Sequence, residues 1–176
     1  MKHFEELAKR SDLLERTKKI KLVLTDCDGV LTDNGVYYSS DGEIMKRFSI
    51  RDGMGMERLR NLVAVETGII TGETSGSVQK RAEKLKLNYL YLGVKDKRAR
   101  WDEILEETGL DSSQIAYIGD DVNDLEIMAI CGLTASPANG MQMVREQTDF
   151  ICTQNGGNGA FREFAEWIIW CKQIGL

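Results

Sequence analysis

The sequence predicts an α/β protein of three layers, in which helices cover both faces of a parallel β-sheet. Two observations carry this prediction. Short apolar segments without helical spacing recur along the 176 residues, and segments with helical spacing separate them. Strands that alternate with helices in this way form a parallel sheet through right-handed crossovers. Neither a linker nor a repeat interrupts the alternation, so we expect a single domain over residues 1–176.

The first predicted strand lies in the segment 21–30, with the sequence KLVLTDCDGV, and ends at Asp26 and Asp28. Side chains two residues apart point to the same side of a strand. Both carboxylates can therefore face one point beyond the strand end, where open α/β sheets bind ligands. Gly29 then permits a sharp turn. The segment 1–19 carries apolar positions among many charges, so it predicts a helical lead-in with a surface helix over 4–19.

A hairpin and a series of helices and strands follow the first strand. Asp41-Gly42 lies between two β-prone segments, 36–39 and 43–48, and predicts a β-hairpin that leaves the sheet. The later helices are predicted over 52–61, 76–85, 97–108, 123–130 and 160–171, and the later strands over 62–70, 89–92, 115–119, 133–135 and 150–152. Residues 155–176 are predicted to form a glycine-rich tail and a C-terminal helix.

Further reactive residues lie where predicted strands end. Thr71 can offer its hydroxyl and nearby N–H groups to phosphate oxygens, although a Thr before a helix is also a common N-cap. Lys97 stands in a charged segment, and taken alone it fits an exposed helix start better than a binding site. The segment 117–124, YIGDDVND, places three carboxylates after an apolar strand, which is costly without a compensating cation. Taken alone, the D-x-D pattern fits either a catalytic carboxylate pair with a cation or a solvated turn.

The composition restricts the classes of function. A net charge of −5 argues against nucleic acid as a partner. No apolar segment reaches the roughly 20 residues that a membrane span requires, and the charged segment 1–19 predicts no secretory leader. Four widely spaced cysteines without a C-x-x-C pattern indicate reduced thiols in a cytoplasmic protein. The single histidine, His3, argues against Ser-His-Asp or Cys-His catalysis and against imidazole-based zinc sites.

Four motifs occur in order: D-x-D-G-V from Asp26, a hydrophobic-T-G motif at Thr71, Lys97, and G-D-D-x-x-D around Asp120. Together they resemble the motifs of the haloacid dehalogenase superfamily of phosphohydrolases, whose fold is a Rossmann-like three-layer sandwich. The resemblance implies that Asp26 is the nucleophile and Asp28 the general acid and base. It also implies that Thr71 and Lys97 bind the phosphoryl group. Asp120 would hold Mg²⁺ together with Asp26 and the main-chain carbonyl of Asp28.

The spacing of these motifs leaves no room for a cap domain, because only a hairpin, a helix and a strand separate Gly29 from Thr71. We therefore expect an open site in one subunit, suited to a large substrate or closed by a neighbouring subunit. The hairpin with the segment 48–53, and the segment 155–163, resemble the lidless subgroup that hydrolyses phosphorylated 3-deoxy-ulosonates. That resemblance implies a small sugar-acid phosphate as the substrate and a homotetramer held together through the hairpins.

Two sugar acids remain open as the substrate. The expected substrate is 3-deoxy-D-manno-octulosonate (KDO) 8-phosphate, which gives KDO and phosphate. Glu73 stands where many KDO 8-phosphate phosphatases carry Arg, and with Arg81 it is closer to the phosphatase of the sialic-acid relative KDN 9-phosphate. The expected substrate-binding residues are Arg51, Asp52, Gly53, Gly72, Glu73, Arg81 and Arg162. The resemblance leaves the roles of Asp121 and Asp124 open.

Two alternatives come from other functional classes. The chain could be a catalytically idle module associated with a sugar-nucleotide enzyme, but the complete motif set argues against idleness. It could also be a protein phosphatase, which a tetramer covering the site would exclude. The apolar hairpin residues expected between subunits are Val36, Tyr38, Ile44 and Phe48. By the same resemblance, the segment 155–163 reaches a neighbouring active site.

Overall fold

The computed structural model describes residues 2–174 of the chain. The strands are β1 (Leu22–Thr25), β2 (Val36–Ser39), β3 (Gly42–Lys46), β4 (Glu66–Ile70), β5 (Tyr89–Tyr91), β6 (Ile115–Ile118), β7 (Leu133–Ser136) and β8 (Phe150–Ile151). The α-helices are α1 (Lys2–Leu7), α2 (Ser11–Lys19), α3 (Ile50–Val63), α4 (Gly76–Leu85), α5 (Trp101–Thr108), α6 (Leu125–Met128), α7 (Gln142–Arg145) and α8 (Ala160–Gln173). Short 3-10 helices at Ser112–Gln114 and Val122–Asp124 precede β6 and α6.

Six strands form one parallel sheet in the order β5-β4-β1-β6-β7-β8. The central strand β1 pairs with β4 on one side and with β6 on the other, so that Thr25 lies opposite Ile69 and Ile118. The chain therefore builds the sheet outward from β1 in one direction and then, from β6, in the other. This reversal is a topological switch point, where open α/β sheets bind their ligands. The predicted three-layer α/β class is confirmed.

The central strand is buried on both faces. Val23 belongs to one hydrophobic cluster, whereas Leu22 and Leu24 belong to a second cluster. Successive residues of a strand point to opposite faces, so the two clusters are the two helix-covered sides of the sheet. The apolar sequence of β1 without alternation follows from this double burial.

The N-terminal helix differs from its prediction. The expected single helix over 4–19 is two helices, α1 and α2, with a turn between them. Both dock on α8. The ring of Phe4 lies 5.6 Å from the ring of Trp167 between centroids, and the Trp167 indole N–H donates to the Thr17 hydroxyl at 3.2 Å. The lead-in is therefore part of the core on this side of the sheet.

Several predicted boundaries shift because of local capping. The Ser49 hydroxyl accepts hydrogen bonds from the N–H groups of Arg51 and Asp52, so α3 begins at Ile50 and not at residue 52. The same helix continues through Val63, which makes the predicted strand over 62–70 too long at its start. The predicted helix over 97–108 is also wrong at its start, since α5 begins at Trp101.

The hairpin stands apart from the main sheet, as predicted. Strands β2 and β3 pair only with each other, in antiparallel orientation. Between β1 and β4 the chain forms only this hairpin and α3, so the expected absence of a cap domain is confirmed. Within residues 2–174, none of the helices has the length and apolar character needed to cross a membrane.

Candidate active site

The residues singled out by the motifs meet at the carboxyl ends of the central strands. Asp26 directly follows β1, Thr71 directly follows β4, and Asp120 follows β6 after one glycine. Because these three strands are neighbours in the sheet, their ends open into one cavity of about 210 Å³. This acidic cavity is lined by Asp26, Asp28, Asn34, Thr71, Gly72, Glu73, Asp120, Asp121 and Asn123.

Lys97 is buried beside the acidic cavity and contacts Asp26. Its Nζ donates to Asp26 Oδ1 at 2.7 Å and to Asp124 Oδ1 at 2.6 Å, and its side chain is only 1% exposed. Burial alone would lower the pKa of Lys97, but the two carboxylates outweigh burial and raise it. Lys97 is therefore a fixed cation facing Asp26, and the alternative of an exposed helix start is wrong.

The carboxylate of Asp26 has an unusual protonation equilibrium. Burial, opposed by the charge of Lys97, raises its pKa to about 7, and the negative charges of Asp124 and Asp120 act in the same direction as burial. The pKa of Asp120 is likewise raised to about 6, mainly by burial, although a hydrogen bond from Asn34 lowers it. Three carboxylates thus share one ammonium group, and the site has an excess of negative charge.

The structure gives the contacts of Asp124, whose role the sequence left open. Its Oδ1 accepts hydrogen bonds from Lys97 and from the Tyr117 hydroxyl at 2.6 Å, and its Oδ2 accepts from the main-chain N–H groups of Asp120 and Asp121. Asp124 is fully buried, and its four hydrogen bonds connect Lys97, Tyr117 and the main chain at Asp120 and Asp121. It holds Lys97 in place and fixes the loop that carries Asp120. The sequence analysis missed Tyr117, which also contacts Lys97 Nζ at 2.9 Å.

The donor set fits a hard divalent cation. Carboxylate oxygens of Asp26, Asp120 and Asp124 lie within 4.8 Å of one another. Those of Asp124 are already occupied by four hydrogen bonds, so Asp26 and Asp120 carry the oxygens free to bind a metal. Oxygen ligands with excess negative charge are what Mg²⁺ prefers in proteins. The predicted third ligand, the main-chain carbonyl of Asp28, stays a prediction.

Gly29 is required by the approach of Asp120. Its φ of +87° lies in the left-handed region, which residues with a Cβ adopt at a cost. A Cβ at this position would lie 1.9 Å from Asp120 Oδ2 and 2.8 Å from Asn34 Nδ2. The Asp120 carboxylate therefore rests directly over the Gly29 backbone.

The side chain of Asp28 faces the hairpin. Lys46, on β3, places its Nζ 2.7 Å from Asp28 Oδ1 and 2.6 Å from Asp28 Oδ2. Burial lowers the pKa of Lys46, but the hydrogen bonds and charge of Asp28 more than reverse this, so the pKa is raised. The sequence analysis missed Lys46, since only its position on a docked hairpin brings it to the site.

Thr71 and the two residues after it form the wall opposite Asp120. The Thr71 hydroxyl is buried and accepts a hydrogen bond from the N–H of Glu73 at 3.3 Å. Helix α4 begins only at Gly76, with Ser75 in the N-cap position, so the alternative of Thr71 as an N-cap is wrong. Gly72 and Glu73, two predicted substrate-binding residues, line the acidic cavity, and their contact with substrate stays a prediction.

Asp52 and Gly53, two predicted substrate-binding residues, do not line the acidic cavity. Asp52 is buried and accepts hydrogen bonds from the N–H groups of Gly159 and Arg162, at 3.3 and 2.9 Å, so it caps the start of α8. A Cβ on Gly53 would lie 2.5 Å from Arg81 Nη2, so this glycine makes room for a side chain. Asp52 thus links α3 to α8, and Gly53 lets the Arg81 side chain of α4 lie against α3.

Three predicted arginines also lie away from the acidic cavity. Arg81 donates to the main-chain carbonyl of Ser49 at 2.8 Å, and Arg162 pairs with Glu166 at 2.7 Å. Arg51 is exposed at the start of α3. Their predicted contacts with substrate stay predictions, and they require either a long substrate or a second subunit.

The glycine-rich tail packs on the loop after β1. A Cβ on Gly156 would lie 1.7 Å from the carbonyl oxygen of Gly29, and the Gly157 N–H donates to the Val30 carbonyl at 2.9 Å. These glycines thus allow close contact between two main-chain segments of one chain. The predicted reach of this segment to a neighbouring site stays a prediction.

Comparison with known proteins agrees with this geometry. The model of the haloacid dehalogenase-like hydrolase family matches residues 77–164. The 3-deoxy-D-manno-octulosonate 8-phosphate phosphatase of Haemophilus influenzae is 34% identical over 155 residues, which cover 88% of this chain and 86% of that protein. The chain belongs to the haloacid dehalogenase-like hydrolases. The predicted family is confirmed, and with it the predicted hydrolase class.

Solved structures of haloacid dehalogenase-like hydrolases have the same fold. The cobalt-bound form of the octulosonate 8-phosphate phosphatase from Haemophilus influenzae has a TM-score of 0.86 and 33% identity, with 89% of this chain and 91% of that chain covered. The phosphatase from Moraxella catarrhalis, in complex with a magnesium ion, a phosphate ion and KDO, has a TM-score of 0.87 and 35% identity, with 93% of each chain covered.

Proposed function

We propose that this haloacid dehalogenase-like hydrolase is a Mg²⁺-dependent phosphomonoesterase that acts on KDO 8-phosphate through a phosphorylated Asp26. The observation that carries the proposal is the buried cation Lys97, held against Asp26 at 2.7 Å in the acidic cavity. A carboxylate is a competent nucleophile towards a phosphoryl group when neighbouring cations offset the charge that gathers there.

In the first half of the reaction, a carboxylate oxygen of Asp26 attacks the phosphorus atom and the bond from phosphorus to the sugar oxygen breaks. The leaving sugar oxygen takes its proton from the Asp28 carboxyl group. In the second half, Asp28 takes a proton from water, the water oxygen attacks the phosphorus, and the bond to Asp26 breaks. Free phosphate and the original Asp26 carboxylate result.

Cations and hydrogen-bond donors around Asp26 stabilise the phosphoryl group. When bound by Asp26, Asp120 and the Asp28 carbonyl, Mg²⁺ offsets the charges of the carboxylates and of the phosphoryl oxygens. Lys97 supplies a further positive charge, and it is kept in place by Asp124. Thr71, with its hydroxyl at the wall of the acidic cavity, is the proposed donor to a phosphoryl oxygen.

The choice of KDO 8-phosphate rests on the relatives that match most of this chain, because they are named KDO 8-phosphate phosphatases. One observation favours KDN 9-phosphate as a second candidate. Glu73 lines the acidic cavity at the position after Thr71 and Gly72 where many KDO 8-phosphate phosphatases carry Arg. A carboxylate there accepts hydrogen bonds from sugar hydroxyl groups, whereas an Arg would donate them.

We further propose a homotetramer that closes the site. The hairpin exposes large apolar side chains, with Tyr38 71% and Ile44 54% exposed, on an element outside the core. Exposed apolar groups of this size mark protein interfaces. Phe48 is a correction to the predicted interface, because it packs on the core and under Arg81, whose guanidinium carbon lies 5.7 Å from the ring centroid.

Two experiments test this proposal. Purified protein is assayed with KDO 8-phosphate and KDN 9-phosphate, with Mg²⁺ and with a chelator. Phosphate release from KDO 8-phosphate that requires Mg²⁺ is expected, and no release from either compound would refute the proposal. Light scattering measures the oligomer, and a monomer at micromolar concentration would refute the tetramer.

The predicted role of Arg162 has a matched control. Arg162 and Arg58 each pair with Glu166, Arg162 at 2.7 Å and Arg58 at 2.6 Å. Replacing either by Ala removes one ion pair to the same carboxylate. If Arg162 of a neighbouring subunit binds the sugar acid, Arg162→Ala raises KM for the sugar-acid phosphate and Arg58→Ala does not. Equal effects would assign Arg162 to the fold alone.

A further inference from the structure

The hairpin carries a lysine, Lys46, that holds the carboxylate of Asp28. Both carboxylate oxygens of Asp28 lie within 2.7 Å of Lys46 Nζ. The Lys46 side chain is 1% exposed and that of Asp28 is 25% exposed. The other side-chain contact of Asp28, from the Thr32 hydroxyl, is long at 3.4 Å. Among the described residues, Lys46 therefore makes the closest side-chain contacts with the Asp28 carboxylate and fixes its position.

Lys46 is itself fixed from a second side. Glu43 Oε2 lies 3.5 Å from Lys46 Nζ, and Glu43 Oε1 accepts a hydrogen bond from the Ser75 hydroxyl at 2.5 Å. Ser75 precedes α4, which belongs to the main body of the protein. The ammonium group is thus held between two carboxylates, and the hairpin is anchored at the site by charge as well as by the chain.

We propose that Lys46 is a positioning residue for phosphoryl transfer, which fixes the Asp28 carboxyl group where it can exchange a proton with the leaving oxygen and with water. The inference rests on the proposed function, in which Asp28 is the general acid and base. Each carboxylate oxygen has two lone pairs, so the contact with Lys46 leaves one on each oxygen for the transferred proton. Lys46 does not line the acidic cavity, so it acts on the substrate through Asp28.

Loss of this contact has a consequence that depends on the leaving group. A sugar alkoxide needs a proton as it departs, whereas 4-nitrophenolate is stable without one. A misplaced Asp28 therefore slows release of the sugar and leaves release of the phenolate almost unchanged. A lysine that only supported the fold would affect both substrates equally when lost.

The test compares kcat/KM of wild type and Lys46→Met on KDO 8-phosphate and on 4-nitrophenyl phosphate. We expect a loss of about tenfold or more on the sugar phosphate, below the range of about 10² to 10⁴ for a complete loss of acid catalysis. On the aryl phosphate the loss stays under about threefold. Equal losses on the two substrates, or no loss on either, would overturn the inference.

A double-mutant cycle gives the second readout. If Lys46 acts through Asp28, adding Lys46→Met to Asp28→Asn costs nothing further on the sugar phosphate, whereas independent roles make the losses multiply. Lys80→Met is the matched control, because it removes the same ammonium group from an exposed lysine on α4 that pairs with Glu83 at 2.7 Å. It should retain both activities. Lys46→Arg keeps the positive charge and should retain part of the activity that Lys46→Met loses. It keeps the inference testable if Lys46→Met does not fold.

The outcomes separate this inference from the proposed function. If wild type hydrolyses neither phosphate ester, the proposed function fails and the inference with it. If wild type hydrolyses only KDN 9-phosphate among the sugar acids, the substrate assignment fails, and the same comparison is made with that ester. If wild type is active and Lys46→Met shows no dependence on the leaving group, only the inference fails.

Discussion

The contact between Gly29 and Asp120 gives the sharpest test of the proposed metal site. Gly29→Ala would place a methyl group 1.9 Å from Asp120 Oδ2, far inside the 3.4 Å at which ordinary van der Waals contact begins. The Asp120 carboxylate would have to retreat by about 1.5 Å. Displacements of about 1 Å in an active site can cost about a hundredfold in rate. We therefore expect kcat/KM to fall about a hundredfold or more, with a higher Mg²⁺ requirement.

Gly42→Ala separates this displacement from backbone strain. Gly42 also has a left-handed backbone, with a φ of +109°, but a Cβ there would meet nothing within 4 Å. Both variants carry the cost of a left-handed Ala, roughly 1 to 2 kcal/mol. Thermal unfolding should therefore show a loss of stability in both proteins, larger for Gly29→Ala because of the added clash, while only Gly29→Ala loses activity. A Gly29→Ala enzyme as active as Gly42→Ala would refute the placement of Asp120 at the reacting centre.

Further predictions concern the nucleophile, the lysine anchor and stability. Asp26→Asn should keep the fold and lose turnover by orders of magnitude, because an amide cannot form the acyl phosphate; activity near wild type in a phosphate-release assay would exclude Asp26. Tyr117→Phe removes one hydrogen-bond partner of Lys97 and keeps the shape of the ring. It should lower kcat, and the free energy of unfolding should stay within about 1 kcal/mol of wild type. Burial raises the pKa of Asp149, but hydrogen bonds and the charge of Arg16 lower it further, so the net pKa is depressed. Its stabilising effect is complete above the unfolded pKa of about 4 and is lost as the pH falls through the folded pKa. Asp149→Asn should therefore cost about 1.5 to 3 kcal/mol near neutral pH and little at low pH, as measured by urea unfolding across that range; a cost that does not depend on pH would contradict the ionic contact.

The centre of the site was predictable from local sequence because the sheet aligns strand ends. Asp26, Thr71 and Asp120 each follow an apolar strand directly or after one glycine, and adjacent parallel strands bring their ends together. No knowledge of side-chain packing is needed for that step. Lys97 was identified only through the order of the motifs, because taken alone it fits an exposed helix start better, and its helix was placed one turn too early.

The periphery of the site was not predictable, because it depends on how distant segments dock. Lys46 reaches Asp28 only after the hairpin folds back over the loop behind β1. Asp52 was expected to bind substrate, but it caps α8, whose first residues are more than a hundred positions away in the chain. A charged residue in a short motif has the same sequence signature whether it binds a ligand or a helix end.

The contact of Gly156 with the carbonyl of Gly29 bears on when the enzyme matures during synthesis. The loop with Asp26 and Asp28 leaves the ribosome more than a hundred residues before its two covering glycines and α8. The carboxylates of the loop lack their partners until Lys97 and Asp120 have emerged, and the loop lacks the surface on which it rests until the two glycines follow. Domains fold largely as units once enough chain is available. Catalytic competence is therefore a late event in translation, and a ribosome that stalls before the tail leaves a chain with its nucleophile but without a finished active site.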